Sequence, residues 1–166
     1  QLLQDPLPAG MNPAVLNDAR LQLACVFEQL QQPDAALQQT TALLAERPHD
    51  EAAHRLHAQL LQQLHKPAEA LQEYMWLVSH NGTDPELRLL RASLHSETQQ
   101  FNAALQDLNA VLELTPAQPA ALELRASVWQ AMGDHAAALR DVDTLMQQPS
   151  VSPALRRKRA DLLTLL

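Results

Sequence analysis

Few side chains in this sequence have the types and spacing that chemistry needs. Cys25 is the lone cysteine. A thiol becomes a nucleophile only beside a base that activates it, and no histidine lies within a turn or two of it in sequence. One thiol can build neither an intramolecular disulfide nor a cysteine-based zinc site. His54 and His57 stand three residues apart with Glu51 one turn earlier. A metal site needs three or four converging ligands, and both histidines fall on the packing side of a helical pattern. They read as core or boundary residues, as does His95. Asn81-Gly82-Thr83 fits a glycosylation acceptor and equally a glycine C-cap after a helix ending near His80. The cap explains both residues without assuming a secreted source. Arg156 to Arg159 form the one basic run. Four consecutive helical residues point in four directions, so they make no single patch. No catalytic residue, metal ligand or cofactor is expected.

The elements that carry these residues are helical. Leu, Ala and Gln fill nearly half of the 166 positions, Ile is absent and aromatics are 3%. That composition favours helices and disfavours sheets. Three glycines leave little room for a phosphate-cradling loop. The formal net charge is −7. An acidic, aromatic-poor chain lacks the charge and stacking surfaces that nucleic acid requires. No apolar run approaches the ~18–20 residues of a membrane span, and no signal-peptide pattern opens the chain. The start at Gln1 reads as an excised fragment or a processed chain. The Ala/Leu/Gln-rich, Lys-poor style points to a bacterial source, and the expected location is a soluble compartment, cytoplasm or periplasm, with nothing in the sequence choosing between them.

An internal repeat organises the sequence. Ala24, Ala58, Ala92, Ala126 and Ala160 are spaced by 34 residues, and Ala36, Ala70, Ala104 and Ala138 share that spacing twelve residues out of phase. Pro48 and Pro116 stand at matching repeat ends, with Gly82 and Ser150 in the other two slots. Apolar residues recur at three-to-four spacing within each half-repeat, the period of a helix. The pattern predicts helices near 13–30, 33–46, 51–64, 67–80, 85–98, 101–114, 119–132, 135–148 and 153–165. Helices of about fourteen residues are marginal alone, so they must pack, and the alanines let neighbouring backbones approach. Comparing the repeats also predicts ion pairs. Leu23, His57, Arg91 and Arg125 are followed sixteen residues later by Gln39, Glu73, Asp107 and Asp141. An acid appears wherever the first residue is cationic or titratable. Arg91 should pair with Asp107 and Arg125 with Asp141, or those acids should be shared with the next repeat's arginine.

This set of features resembles the tetratricopeptide repeat: a 34-residue period, two short helices, a small residue in each, and Pro at the repeat end. The resemblance covers repeats near 17–50, 51–84, 85–118 and 119–152, with 153–166 like the first helix of a fifth. Together, 13–166 form the array, and 1–12 read as a loop or the tail of a preceding repeat. The first aromatic slot departs from the commonest pattern, holding Arg20, His54, Arg88 and Leu122. The later one keeps Phe27 and Trp129 but holds Leu61 and His95 between them. Fewer aromatic plugs imply modest stability.

The resemblance implies an all-α fold, a right-handed superhelical solenoid of antiparallel helix pairs with first helices lining a concave groove. That groove would carry Leu21, Cys25 and Glu28, then Arg55, Gln59 and Gln62, then Glu86, Leu89, Ser93 and Glu97, then Glu123, Ser127 and Gln130. A polar, mildly acidic surface of this kind suits a peptide or protein partner. A chaperone-tail clamp is not implied, because its slots hold Leu21, Cys25, Leu56, Glu86 and Leu90. The expected role is a non-catalytic scaffold for protein interaction within a larger protein or complex. The alternatives are a self-associating assembly module, through the apolar terminal helix with Leu162, Leu163, Leu165 and Leu166, and the regulatory segment of a larger enzyme.

Overall fold

The computed structural model describes residues 13–148 and 151–166. The expectations placed on 1–12 and on Ser150 lie outside them. Nine α-helices account for the regular structure of the described residues, and no strand occurs among them. They are α1 (Pro13–Gln29), α2 (Pro33–Glu46), α3 (Glu51–Gln63), α4 (Pro67–His80), α5 (Pro85–Glu97), α6 (Phe101–Leu114), α7 (Pro119–Ala131), α8 (His135–Leu145) and α9 (Pro153–Thr164). The chain divides into two compact units, up to Glu73 and from Tyr74 to Leu166. In the first, α1 pairs with α2 and α2 packs on α3. In the second, α5 pairs with α6 and α7 with α8, while α6 also meets α7 and α8 meets α9.

Local chemistry sets the helix starts. Asp50, Asp84, Asp134 and Ser152 each cap a first turn by accepting a backbone N–H, from Ala53, Leu87, Ala137 and Leu155. Each cap satisfies one of the orphan donors at a helix N-terminus. Pro33, Pro85, Pro119 and Pro153 follow their caps, where a missing N–H costs nothing. The last turns wind tighter than the pattern implied. α8 stops at Leu145, short of the expected 148, and Gln147 and Gln148 bond back three residues to Thr144 and Leu145. The Gln148 side chain then donates to the Ala117 carbonyl oxygen at 3.2 Å, which holds the exit away from the helix axis.

One turn recurs between the two helices of each pair. Gln31, His65, Gln99 and Gly133 all have positive φ, between 55° and 83°, at 34-residue spacing. After each, the next residue's N–H bonds five residues back, to Phe27, Leu61, His95 and Trp129. This is a Schellman closure, which satisfies the last carbonyls of the first helix. Gly82 is different. It has no positive φ, so it is not the left-handed cap expected of Asn81-Gly82. Its carbonyl instead accepts from Arg88 Nε at 2.8 Å, and a Cβ there would meet the Val78 carbonyl oxygen at 3.2 Å.

The alanine columns form the contacts on which the pairs close. Ala24, Ala58, Ala92 and Ala126 are completely buried, as are Ala36, Ala70, Ala104 and Ala138. Ala24 and Ala36 share a core with Leu56 and Leu60. Ala92 and Ala104 belong to one core of the second unit, and Ala126 and Ala138 to another. Ala160 continues the series but is exposed. Ala92→Leu should therefore overpack its contact and lower stability by about 1–3 kcal/mol. Ala160→Leu should leave it within about 0.5 kcal/mol. Urea unfolding of the two variants checks the contrast.

Candidate functional site

The charged side chains form a clasp inside each helix pair of the second unit. Arg91 on α5 donates from Nε to Asp107 Oδ2 at 2.7 Å and from Nη2 to Oδ1 at 2.6 Å. Arg88, one turn earlier, donates to the same carboxylate at 3.4 Å. Arg125 on α7 grips Asp141 on α8 through the same two atoms, at 2.9 and 2.7 Å. The two aspartate side chains are only 3% and 7% exposed. Forked guanidinium–carboxylate bonds of this kind are charge-assisted and directional. Neither acid is shared with the following arginine. Arg125 instead reaches back to Asn109 Oδ1 on α6 at 2.6 Å, and Arg159 reaches back to Asp143 on α8 at 2.6 Å. Asn109 and Asp143 are themselves 34 residues apart. The backward contact thus uses a separate column, two residues beyond the acids.

The first helices leave one face uncovered by their partners. In the first unit the residues expected there are Leu21, Cys25 and Glu28 of α1 and Arg55, Gln59 and Gln62 of α3, and Leu21 packs against the core. Cys25 is exposed, as is Gln59. Arg55 is tied to Glu51 on its own helix at 3.0 Å, and Gln63 of α3 donates to Glu28 of α1 at 3.4 Å. In the second unit, Leu89 and Ser93 are half-buried, and Glu86, Glu97, Glu123, Ser127 and Gln130 are exposed. Two adjoining depressions mark this face. One, of about 430 Å³, lies between α5 and α7 and is lined by Leu89, Leu90, Ser93, Ala120, Glu123, Leu124 and Ser127. The other, of about 310 Å³, lies between α7 and α9 and is lined by Glu123, Ser127, Ser152, Ala154, Leu155 and Lys158. Glu123 and Ser127 form the ridge between them. Glu86, Glu97 and Gln130 line neither.

Lys158 is the residue that sequence reasoning missed. It donates from Nζ to Ser127 Oγ at 2.8 Å, and Ser127 in turn donates to the Glu123 carbonyl oxygen at 2.9 Å. Burial lowers the Lys158 ammonium below the usual lysine range, and the nearby Glu123 carboxylate partly opposes that. The signal lay in the lattice rather than in the basic run. Lys158 continues the column Leu56, Leu90, Leu124, two members of which line the neighbouring depression. Arg156 and Arg157 beside it are exposed. Among the described residues no group of three or more His, Cys, Asp or Glu is placed to hold a metal ion. No described helix is long and apolar enough to cross a membrane.

The clasps and the exposed pairs should differ in what they contribute. Asp141→Asn breaks a mostly buried forked pair and should cost about 3 kcal/mol. Arg159 and Asp143 are 41% and 45% exposed, so Asp143→Asn should cost under about 1 kcal/mol. Denaturant midpoints at low and high salt separate the two cases.

No protein-family profile and no curated protein matches the chain by sequence. Solved structures do match it in shape. A tetratricopeptide repeat protein from Parabacteroides merdae superposes with a TM-score of 0.80 at 21% identity, over 90% of this chain and 59% of that one. This chain thus spans less than two thirds of that relative's length. YrrB, described as a tetratricopeptide repeat protein with an unusual peptide-binding site, gives 0.79 at 20% identity, over 86% of this chain and 74% of that one. MamA gives 0.76 at 14% identity, over 90% and 87%. With the 34-residue lattice of buried alanines and the helix pairs described above, these likenesses show that the chain has the tetratricopeptide-repeat fold.

Proposed function

We propose that this chain is a non-catalytic protein-interaction scaffold, and that its first helices hold an extended peptide or a helix of a partner protein. One observation carries the reading: the two adjoining depressions that α5, α7 and α9 leave open in the second unit. The first has an aliphatic floor from Leu89, Leu90 and Leu124, fit for a branched side chain. Its rim, Ser93, Glu123 and Ser127, offers hydrogen-bonding groups to a backbone lying across it. Small apolar pockets with a few placed polar groups are the usual form of a recognition site. The described peptide-binding character of YrrB is in keeping with this use of the fold. In the first unit the residues at the corresponding repeat positions, Leu21, Cys25, Glu28, Arg55, Gln59 and Gln62, make a more polar set.

Peptides selected from a displayed random library on the immobilised chain test the proposal. Leu89→Asp and Ser127→Arg should each weaken the selected peptides at least tenfold, and Arg55→Glu, in the first unit, should not. Leu114→Asp, at a 63% exposed position on α6, should leave them unchanged. Peptides that bind all four variants alike would show that the depressions are not the site.

A second reading, self-association, is favoured by the apolar edge of the last helix and its tail. Leu163, Leu165 and Leu166 are 47%, 54% and 67% exposed. On that reading the mass from light scattering rises with protein concentration without any added partner. Leu163→Glu/Leu166→Glu should abolish the rise. A constant monomer mass would remove the reading.

A further inference from the structure

The second repeat builds the clasp of the third with different chemistry. Arg88 holds two acceptors: the Gly82 carbonyl at 2.8 Å and the Asp107 carboxylate at 3.4 Å. Thirty-four residues earlier, His54 holds the two equivalent acceptors. Its Nε2 faces the Pro48 carbonyl oxygen at 3.0 Å and its Nδ1 faces Glu73 Oε2 at 2.5 Å. His57 takes the place of Arg91, with Nδ1 2.7 Å from Thr40 Oγ1 on α2. A carbonyl and a carboxylate can only accept, so making both His54 bonds uses two ring N–H groups. Only the protonated imidazole has two. An arginine keeps its donors at every physiological pH, whereas a histidine gives up one of them in the neutral range.

We propose that the clasp of the second repeat is a proton-operated copy of the permanent one in the third, so that the hold of α3 on Glu73 and on the Pro48 carbonyl loosens as pH rises through the imidazole range. A neutral His54 ring has one N–H and must release either the α4 carboxylate or the carbonyl that closes the α2–α3 turn. Glu73 is 20% exposed and Pro48 is exposed, so the released acceptor turns to water and what is lost is one bond of the clasp.

The surroundings set the sense of the response. Glu69 and Glu73 face the histidines from α4, and Lys66 stands in the turn before it. Arg47, at the end of α2, pairs with Asp18 of α1 and lies near Asp50. Glu51 and Arg55 pair on α3 itself. Burial lowers His57 below the ordinary imidazole range, Glu73 opposes this, and the neighbouring His54 adds to it. A histidine lowered in this way contributes stability that is present above its unfolded value, ~6.5, and lost as pH falls. His57 therefore works in the opposite sense, and a loss on the alkaline side cannot come from it.

Amide hydrogen exchange on the whole chain tests the clasp. Protection of the α3 amides, corrected for intrinsic rate and divided by that of α7, should fall about tenfold between pH 6 and pH 8.5, the effect of one lost charge-assisted bond. His54→Arg/His57→Arg, which installs the third repeat's cations, should keep α3 protected and remove the pH dependence. Glu73→Gln should lower the ratio at pH 6 and flatten its profile. An unchanged ratio in the native chain, or a pH dependence that survives in the folded double variant, would overturn the proposal. Nitrogen NMR of the native His54 ring needs no variant. Both nitrogens should carry protons at pH 6 and one should be bare at pH 8.5, and a neutral ring at pH 6 would equally overturn it.

Discussion

Close approach of helix backbones at fixed points is the constraint on which the fold rests. Helices of 11 to 17 residues do not hold themselves together in water, and this chain has few large aromatics to wedge between them. It relies instead on methyl-sized contacts. Eight alanines in two columns are wholly buried, and each lets a neighbouring helix come near enough for the flanking leucines to interdigitate. Leu43, Leu77, Val111 and Leu145, in one such flanking column, are all buried as well. Because every pair uses the same contact, the sequence can drift widely elsewhere. That is consistent with identities of 14–21% to chains of matching shape.

The clasps add direction to a contact that is otherwise only close. Alanine on alanine has no preferred azimuth, but a forked guanidinium on a buried carboxylate has one, and it fixes how the second helix is rotated against the first. Arg125 goes further by holding Asp141 with one edge and Asn109 with another atom, so a single side chain orients α7 against both α8 and α6. The depressions proposed for recognition are not lined by Arg91 or Arg125, so they stand apart from the side chains that set this geometry.

What could be read from the sequence follows from how each interaction writes itself there. The alanine columns were legible because a close contact forbids a larger side chain, and the repeats display that prohibition at each turn of the lattice. The Arg91–Asp107 and Arg125–Asp141 pairings were legible because Leu23 and Gln39 change together in the first repeat, as interacting positions would. The contacts of His54 and Arg88 to the Pro48 and Gly82 carbonyls were not, since a main-chain oxygen is present at every residue and leaves no mark. The left-handed turn was half legible: Gly133 announces it, while Gln31, His65 and Gln99 adopt the same φ without a telling side chain. Lys158 was hidden by its neighbours, because a run of four cations reads as solvated until the lattice shows which of them replaces a leucine.

The recurring turn has a consequence for how the array can change. Three of the four joints between paired helices hold a residue with a side chain in a backbone region that disfavours one. Each is held there by main-chain bonds, and all three residues are exposed. The array thus contains strained joints whose strain can be released one at a time, by exchange with glycine, without touching the buried alanine columns. The backbone strain of the joints can then be changed apart from the face proposed for recognition.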